Sequence, residues 1–591
     1  MSSTFGALET AKSGLSVAMQ NMNITGHNIS NANTDGYTRQ RLVTSAIDPP
    51  ASSYLISQSS STQVGRGVEV LEVEQLRSAY LDNQYRALNS DYSYSDSRSQ
   101  ALTYLEGLFN ETDEDSGMTT AIENFYSALN TFSQNTSNET YRTNVQQQAV
   151  SMTENFNIVY GEMNDLWNDQ NGGIDTAAQE INSDASKLVE YNKAISQYER
   201  LGENANDLRD ERNLLLDKMS ALVNITYSTN KDNPSMVDVQ IGGLSLVSGV
   251  TSNPIEIDSA SNHTAEIDTL TSQIASVNSG ISQAVSAGEP TDGLKTELSG
   301  YLDELGHYIS ISTTADSNGI TDVSFHGASL VSGSASASIE NAAAGNLTAW
   351  VELKRNNLTL DGDNLSISSG TVTSGELYAH MEMIEGSGSN NSGIPYYMSQ
   401  LNSLAQEIAK NINAIHSTGY TYPYNGGQSI TGVNFFDVPM DSDGAGGLTP
   451  DYSRINAGNF SLSKEVSGSI YNIAGSSEEV SLSGNPTETG NNTVALQLFQ
   501  DLNNGGYYGM LDNIVGHLAI TSKESQSAQD TKQSLLKNID AQRTSLSGVS
   551  IDEETVNLIT FKQSYNACAR MISAIDEMMD TLIGNTGVVG R

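Results

Sequence analysis

Leu8, Leu15, Met22 and Ile29 recur at steps of seven near the N-terminus, with Ala11, Ala18 and Thr25 at the intervening positions. This spacing predicts a helix that presents a narrow apolar seam to partner helices, and the small second set allows close approach. Gly6 and Gly14 lower its intrinsic helicity. The C-terminus carries the same pattern with larger side chains: Leu558, Tyr565, Ile572 and Met579 form one set, and Phe561, Cys568, Ile575 and Leu582 the other. Asp552, Glu553 and Glu554 stand at the start of that helix, where carboxylates face the positive end of the helix dipole, and Gly584 marks a stop. Upstream, Leu511, Ile514, Leu518, Ala528, Leu535, Ile539 and Leu546 continue the spacing, which predicts a helical arm over about 508–583, broken near Ser547-Gly548.

Between the arms, apolar residues at helical spacing predict antiparallel helices over 87–109, 118–132, 141–167 and 174–201. An internal repeat follows. Val237-Asp-Val-Gln-Ile-Gly-Gly-Leu-Ser-Leu-Val-Ser-Gly249 matches residues 321–333 at eight of thirteen positions. Upstream, Ile195-Ser-Gln197 matches Ile281-Ser-Gln283, and Leu216-Asp217 matches Leu302-Asp303, two residues out of that register. The unit is read as a helix hairpin followed by a β-hairpin, present twice; two copies are too few for a solenoid. The second copy, 264–333, reads as an insertion that assembly can spare. Residues 334–395 and 420–500 are Ser/Thr/Gly/Asn-rich with short alternating runs and are read as strands, separated by a helix over 397–416.

Charge changes the picture more than length does. Seventy acidic against 28 basic residues leave a net charge of −42, which repels phosphate backbones and anionic membranes and argues against nucleic acid as a partner. The single cysteine, Cys568, permits no internal disulfide. No cleavable signal peptide and no run of 18 apolar residues is visible, so membrane insertion is not expected.

Catalytic chemistry has no foothold in the sequence. There is no nucleophile elbow, no Walker loop, no paired Cys motif and no second His at ligand spacing, so neither enzyme activity nor a metal or cofactor is expected. Cys568 lies on the apolar seam and reads as a packing residue. Asp441-Ser-Asp-Gly444 and Asp361-Gly-Asp363 lack the remaining ligands of a calcium loop and read as solvated turns.

The sharper signal is the word from Asn28 to Gln40, with Asn28, Asn31, Asn33, Thr34, Gly36 and Tyr37. Short polar side chains satisfy free backbone groups at a helix end, Gly36 supplies a positive φ, and Tyr37 anchors the turn. This word resembles the N-terminal signature of the flagellar rod, hook and hook-associated axial proteins. Gly36-Tyr-Thr-Arg-Gln40 is most similar to the members at the hook–filament junction. Gln84-Tyr85-Arg86, Asn206-Asp-Leu-x-Asp-x-Arg212, Asn413-Ala-Ile-His416 and Ser547-Gly-Val-Ser-Ile-Asp-Glu-Glu554 extend the resemblance.

The resemblance implies a multidomain α+β fold: terminal helices paired as a coiled coil, a helical second domain, and β-rich outer domains inserted between. It sets domains at 1–65 plus 548–591; at 66–225 plus 396–420 and 505–547; at 226–395; and at 421–504. It implies a structural subunit of the hook–filament junction, assembled through the terminal seams as a homo-oligomeric ring. Expected partners are the hook protein, the second junction protein and an export chaperone at the C-terminal region. The location is the extracellular flagellum, reached by type III export without a cleavable signal. The alternatives are another axial protein, hook or distal rod, or a secreted adhesin using the Tyr-rich loop 420–424.

Overall fold

The computed structural model describes residues 4–47, 65–109, 117–424, 427–442, 448–483 and 486–586. Along the chain run α1 (Thr4–Ser30), β1 (Gln40–Ala46), β2 (Val68–Gln75), α2 (Ala79–Phe109), α3 (Met118–Gln134), α4 (Glu139–Arg200) and α5 (Asn206–Leu222). The strands β3 (Ile225–Thr229), β4 (Val237–Ile241), β5 (Leu244–Ser248), β6 (Thr251–Ser252) and β7 (Ile255–Asp258) follow. Then come α6 (Thr264–Ala287), α7 (Asp292–Tyr308), β8 (Ile311–Ala315), β9 (Thr321–Phe325), β10 (Ala328–Ser332) and β11 (Ala335–Ser336). Next are α8 (Ile339–Ala343), α9 (Leu347–Lys354), β12 (Asn357–Leu360), β13 (Asp363–Leu365), α10 (Glu376–Glu385), β14 (Ser387–Gly388), β15 (Asn391–Ser392) and α11 (Ile394–His416). The chain closes with β16 (Met440–Ser442), β17 (Leu448–Pro450), α12 (Lys464–Gly468), α13 (Thr493–Asn504), α14 (Tyr507–Ser547) and α15 (Ile551–Thr586).

Two compact units share these elements: 1–92, 181–254 and 531–591 form the first, and 93–180 with 255–530 the second. In the first, α1 lies along α15, and β1 pairs antiparallel with β2, with Gln40 opposite Gln75 and a bulge at Val43/Thr44. In the second, α13 packs on α3 and α11, around Phe125, Phe132, Leu401, Ile408 and Leu498, all buried.

Helices were expected over 141–167 and 174–201; they are one helix, α4, of 62 residues. Gly172-Gly173 does not interrupt it. A side chain at Gly173 would come within 2.6 Å of the His380 ring, so the glycine serves a close approach instead of a break.

The duplication is real in three dimensions, and each β-hairpin proves to be a four-stranded meander, β3-β4-β5-β6 and β8-β9-β10-β11. In each copy one buried asparagine from the helix hairpin clamps the meander. Asn192 Nδ2 donates to the carbonyls of Val237 (2.8 Å) and Gly249 (2.7 Å), and its Oδ1 accepts from Val237 N (3.1 Å). Asn278 makes the same three bonds to Thr321 and Gly333, at 2.8, 2.8 and 3.0 Å.

The strands expected over 334–395 and 420–500 are mostly absent. The first stretch holds α8, α9 and α10 beside short strands, and the second is irregular chain with β16, β17, α12 and α13. Side chains on helices take the place of a ladder there. Asn413 receives Phe435 N and Phe436 N on Oδ1, both at 2.8 Å, and Asn157 Nδ2 donates to the Ala457 and Phe460 carbonyls. Arg142, buried between the rings of Phe132 and Tyr422, donates to the carbonyls of Thr136 (2.7 Å) and Ile473 (2.6 Å).

Candidate assembly site at the chain termini

Both terminal heptad sets converge on one contact, α1 against α15. On α1 the small residues Ala11, Ala18 and Thr25 are fully buried, whereas Leu8, Leu15, Met22 and Ile29 are half-buried. The larger set flanks a tight centre, and at that centre a Cβ on Gly14 would stand 3.0 Å from Cys568 Sγ. On α15 Ile575 is buried; Leu558, Phe561, Tyr565, Cys568, Ile572 and Met579 are half-buried. Leu582, expected in the seam, is 59% exposed. A pair of helices covers one stripe of each partner and leaves the flanks wet.

The turn word closes this contact through Asn28, which is 1% exposed. Its Oδ1 accepts from the Tyr37 hydroxyl (2.8 Å) and from Gln40 N (3.0 Å). Its Nδ2 donates to Gln40 O (3.0 Å) and to Glu554 Oε2 (3.2 Å). One amide thus uses its full hydrogen-bonding capacity on the helix, the turn and the opposite terminus. Burial, followed by Asp207, Asp210 and Glu554, pushes the Tyr37 phenol well above its ordinary value, so it stays a donor. Asn31 Nδ2 donates to His27 O, Thr34 Oγ1 to Asn31 Oδ1, and Asn33 is exposed. Gly36, at φ +78°, faces Leu214 where a Cβ would stand 3.2 Å away.

Beyond Asn28 lies a chain of arginine–carboxylate pairs that sequence reasoning did not assign. Arg39 reaches Glu554 (2.6 Å) and Glu553 (3.0 Å), and its backbone N–H donates to Ser547 O where α14 ends. Arg77 pairs with Asp82 (2.6 Å) and approaches Asp210 (3.7 Å). Asp217 bridges Arg86 and Arg543, both at 2.7 Å. Arg86 lies over Tyr227 and Arg543 over Tyr85, 4.4 and 4.1 Å from the ring centroids. Burial pushes the Asp210 carboxyl up to about 6, against hydrogen bonds from Thr38 and the nearby Arg77. Burial also opposes the charge on Arg543, but Asp217 and Asp82 outweigh it and raise its affinity for the proton. Arg86, Asp210 and Glu554 all sit in the words already singled out, in a chain with only 28 basic residues; that scarcity was the available signal.

In the loop 420–424, Tyr422 covers Arg142 and Tyr424 stacks on Tyr471 at 4.0 Å. Asp361, at φ +57°, turns the chain between β12 and β13. Asp443 and Gly444 of the other acidic turn lie outside the described residues. Among the described residues no group of three or more His, Cys, Asp or Glu is placed to hold a metal ion, and no helix is long and apolar enough to cross a membrane.

The family profile described as "Flagellar hook-associated protein FlgK helical domain" matches residues 102–265 and 257–436. "Flagella basal body rod protein" matches 8–38, and "Flagellar basal body rod FlgEFG protein C-terminal" matches 541–585. Flagellar hook-associated protein 1 of Bacillus subtilis (strain 168) is 30% identical over 600 residues, covering 100% of both chains. Its namesake from Salmonella typhimurium (strain LT2) is 25% identical over 252 residues, 42% of this chain and 43% of its own. The solved flagellar hook junction protein FlgK from Burkholderia pseudomallei has a TM-score of 0.48 at 14% identity, covering 79% of this chain and 100% of its own.

Proposed function

The chain belongs to the family of flagellar hook-associated protein 1, and from that membership we propose that it is a structural subunit of the bacterial flagellum at the hook–filament junction, built in through its terminal helices. The observation that carries the assembly reading is the outer flank of α15. Val556, Ile559, Met571 and Met578 share one face of the helix and are between 45% and 62% exposed. Apolar side chains in such a row contribute roughly 1.5–3 kcal/mol each when covered, and neighbouring subunits would cover them. The subunits then form a ring between the hook protein and the second junction protein. An export chaperone holds the C-terminal region beforehand, and the chain leaves the cell for the extracellular flagellum by type III export. Its role is architectural, with no turnover.

The match to the FlgK helical domain favours the junction over hook or distal rod. The adhesin reading loses support because the rings of Tyr422 and Tyr424 are already engaged within the chain. Gold labelling of a tagged subunit on isolated hook–basal bodies with attached filaments tests the placement. A single band where hook meets filament is expected; label along the hook or in the rod would refute it.

A further inference from the structure

The two copies of the helix-hairpin and meander unit differ at one end of the hairpin. In the register that aligns Asn192 with Asn278, Ala177, Ala221 and Leu222 of the first copy correspond to His263, His307 and Tyr308 of the second. The fold of the unit therefore does not need those polar groups. In the second copy they line a cleft of about 820 Å³, closed on its other sides by β7, β12, β13 and α10. That volume falls within the range of roughly 300–1,000 Å³ usual for small-molecule sites.

The lining defines the ligand. Arg355 gives Nη1 to Glu385 at 3.2 Å, while its Nε is buried without a hydrogen-bond partner among the described residues. His263 is held by Asp258 at 2.8 Å, and its ring tilts against Tyr308 with centroids 4.9 Å apart, which offers aromatic surface to C–H groups. Glu256, Asp258 and Glu385, in a chain of net charge −42, oppose an anion, and the engagement of Glu385 by Arg355 and of Asp258 by His263 leaves those two carboxylates less free for a cation. Hydroxyls both donate and accept, so a neutral polyhydroxylated ring satisfies Arg355, Asn357 and Glu385 together.

We propose that the second copy is a binding module for a small neutral saccharide, seated between His263, His307 and Tyr308 on one side and Arg355, Asn357 and Glu385 on the other. This site is separate from the terminal seams, so it stands or falls independently of the junction role.

The test uses the full chain. Lactose, maltose, cellobiose and N-acetylglucosamine are titrated calorimetrically at millimolar concentration beside sialic acid, glucosamine and inorganic phosphate. Saturation-transfer NMR on the same samples reports the contact face. At least one neutral sugar should bind. The variant His263→Ala, His307→Ala, Tyr308→Leu, which installs the first copy's residues, should lose about tenfold or more in affinity with an unchanged melting curve. If that variant fails to fold, Arg355→Gln serves as the second probe and should show the same loss. No binding by any neutral sugar, a preference for a charged probe, or wild-type affinity in the folded variant would overturn the assignment.

Discussion

Asn28 and Glu554 stand 526 positions apart in the chain and share a hydrogen bond of 3.2 Å in the buried interior of the first unit. The same carboxylate receives Arg39 at 2.6 Å, so one residue of α15 satisfies both the end of α1 and the turn that follows.

Glu554→Ala should therefore unfold the first unit at a lower temperature while leaving the second unit's transition in place. The substitution removes the buried carboxylate from Arg39 and Asn28 but leaves Arg39 its exposed partner Glu553, so the cost should fall below the roughly 3–5 kcal/mol of a buried charge left wholly alone. Glu554→Gln retains an acceptor for Asn28 and should fall between the two. Calorimetry of the full chain separates the cases; equal melting of Glu554→Ala and wild type would show that the contact contributes nothing.

Met571→Asp and Met578→Asp act on the exposed flank of α15 and should barely change melting of the free subunit. Incorporation should fail, since each carboxylate would be buried without a partner at a cost of several kcal/mol. Secreted subunit is measured alongside, so that failed export is not mistaken for failed assembly. Normal junctions built from exported Met571→Asp subunits would rule out this flank as the assembly surface.

Excision of 264–333 alone should destabilise the second unit, contrary to the sequence expectation that this copy can be spared. Ile339, Ala342, Ala349 and Leu353 belong to the same buried core and would be uncovered. The natural cut lies elsewhere: Asp258 and Asn357 already face each other in the β7–β12 ladder. Replacing 259–356 by Asn-Gly would close that pair as a two-residue hairpin. Melting should favour the longer deletion, less the loss of Trp350, whose ring stands 4.5 Å from that of Trp167.

His416 should make the second unit acid-sensitive. It is fully buried, its Nδ1–H donating to Val433 O (2.7 Å) and its Nε2 accepting Ala474 N–H (2.8 Å), so only the neutral ring fits. Burial, with a smaller push from Arg142, drives its pKa down to about 4. The folded value lies below the unfolded one, so the unfolded chain binds more protons between them. The stability is complete above about pH 6.5 and is lost as pH falls toward 4, by about 2 kcal/mol between pH 7 and pH 5. Urea titrations across that range should show the slope, and His416→Gln should flatten it; an unchanged slope in the variant would assign the effect elsewhere.

The terminal seams, the break at Ser547-Gly548 and the duplication were legible because each is a local period or a repeated word. Gly36 was legible for the same reason: a positive φ is a property of one residue. The arginine–carboxylate chain was not, since Arg39 and Glu554, or Arg543 and Asp217, meet across hundreds of residues and single-chain periodicity carries no pairing information. The strands expected over 420–500 failed for a related reason. Alternation of Ser, Thr and Asn suits a ladder, yet Asn413, Asn157 and Arg142 on distant helices supplied the hydrogen bonds first.

The sequence by itself determined that both ends are helices with apolar seams, that one unit occurs twice, and that catalytic motifs are missing. It also carried the words that place the chain among flagellar axial proteins. Only the tertiary structure decided which seam residues are covered, and it reversed the weighting on α1, burying Ala11, Ala18 and Thr25 and leaving the larger Leu8, Leu15, Met22 and Ile29 half-buried. The physical reason is the approach distance. Gly14 against Cys568 brings the helix backbones close enough that small residues fill the centre, and large ones are forced to the flanks, where a further subunit can reach them.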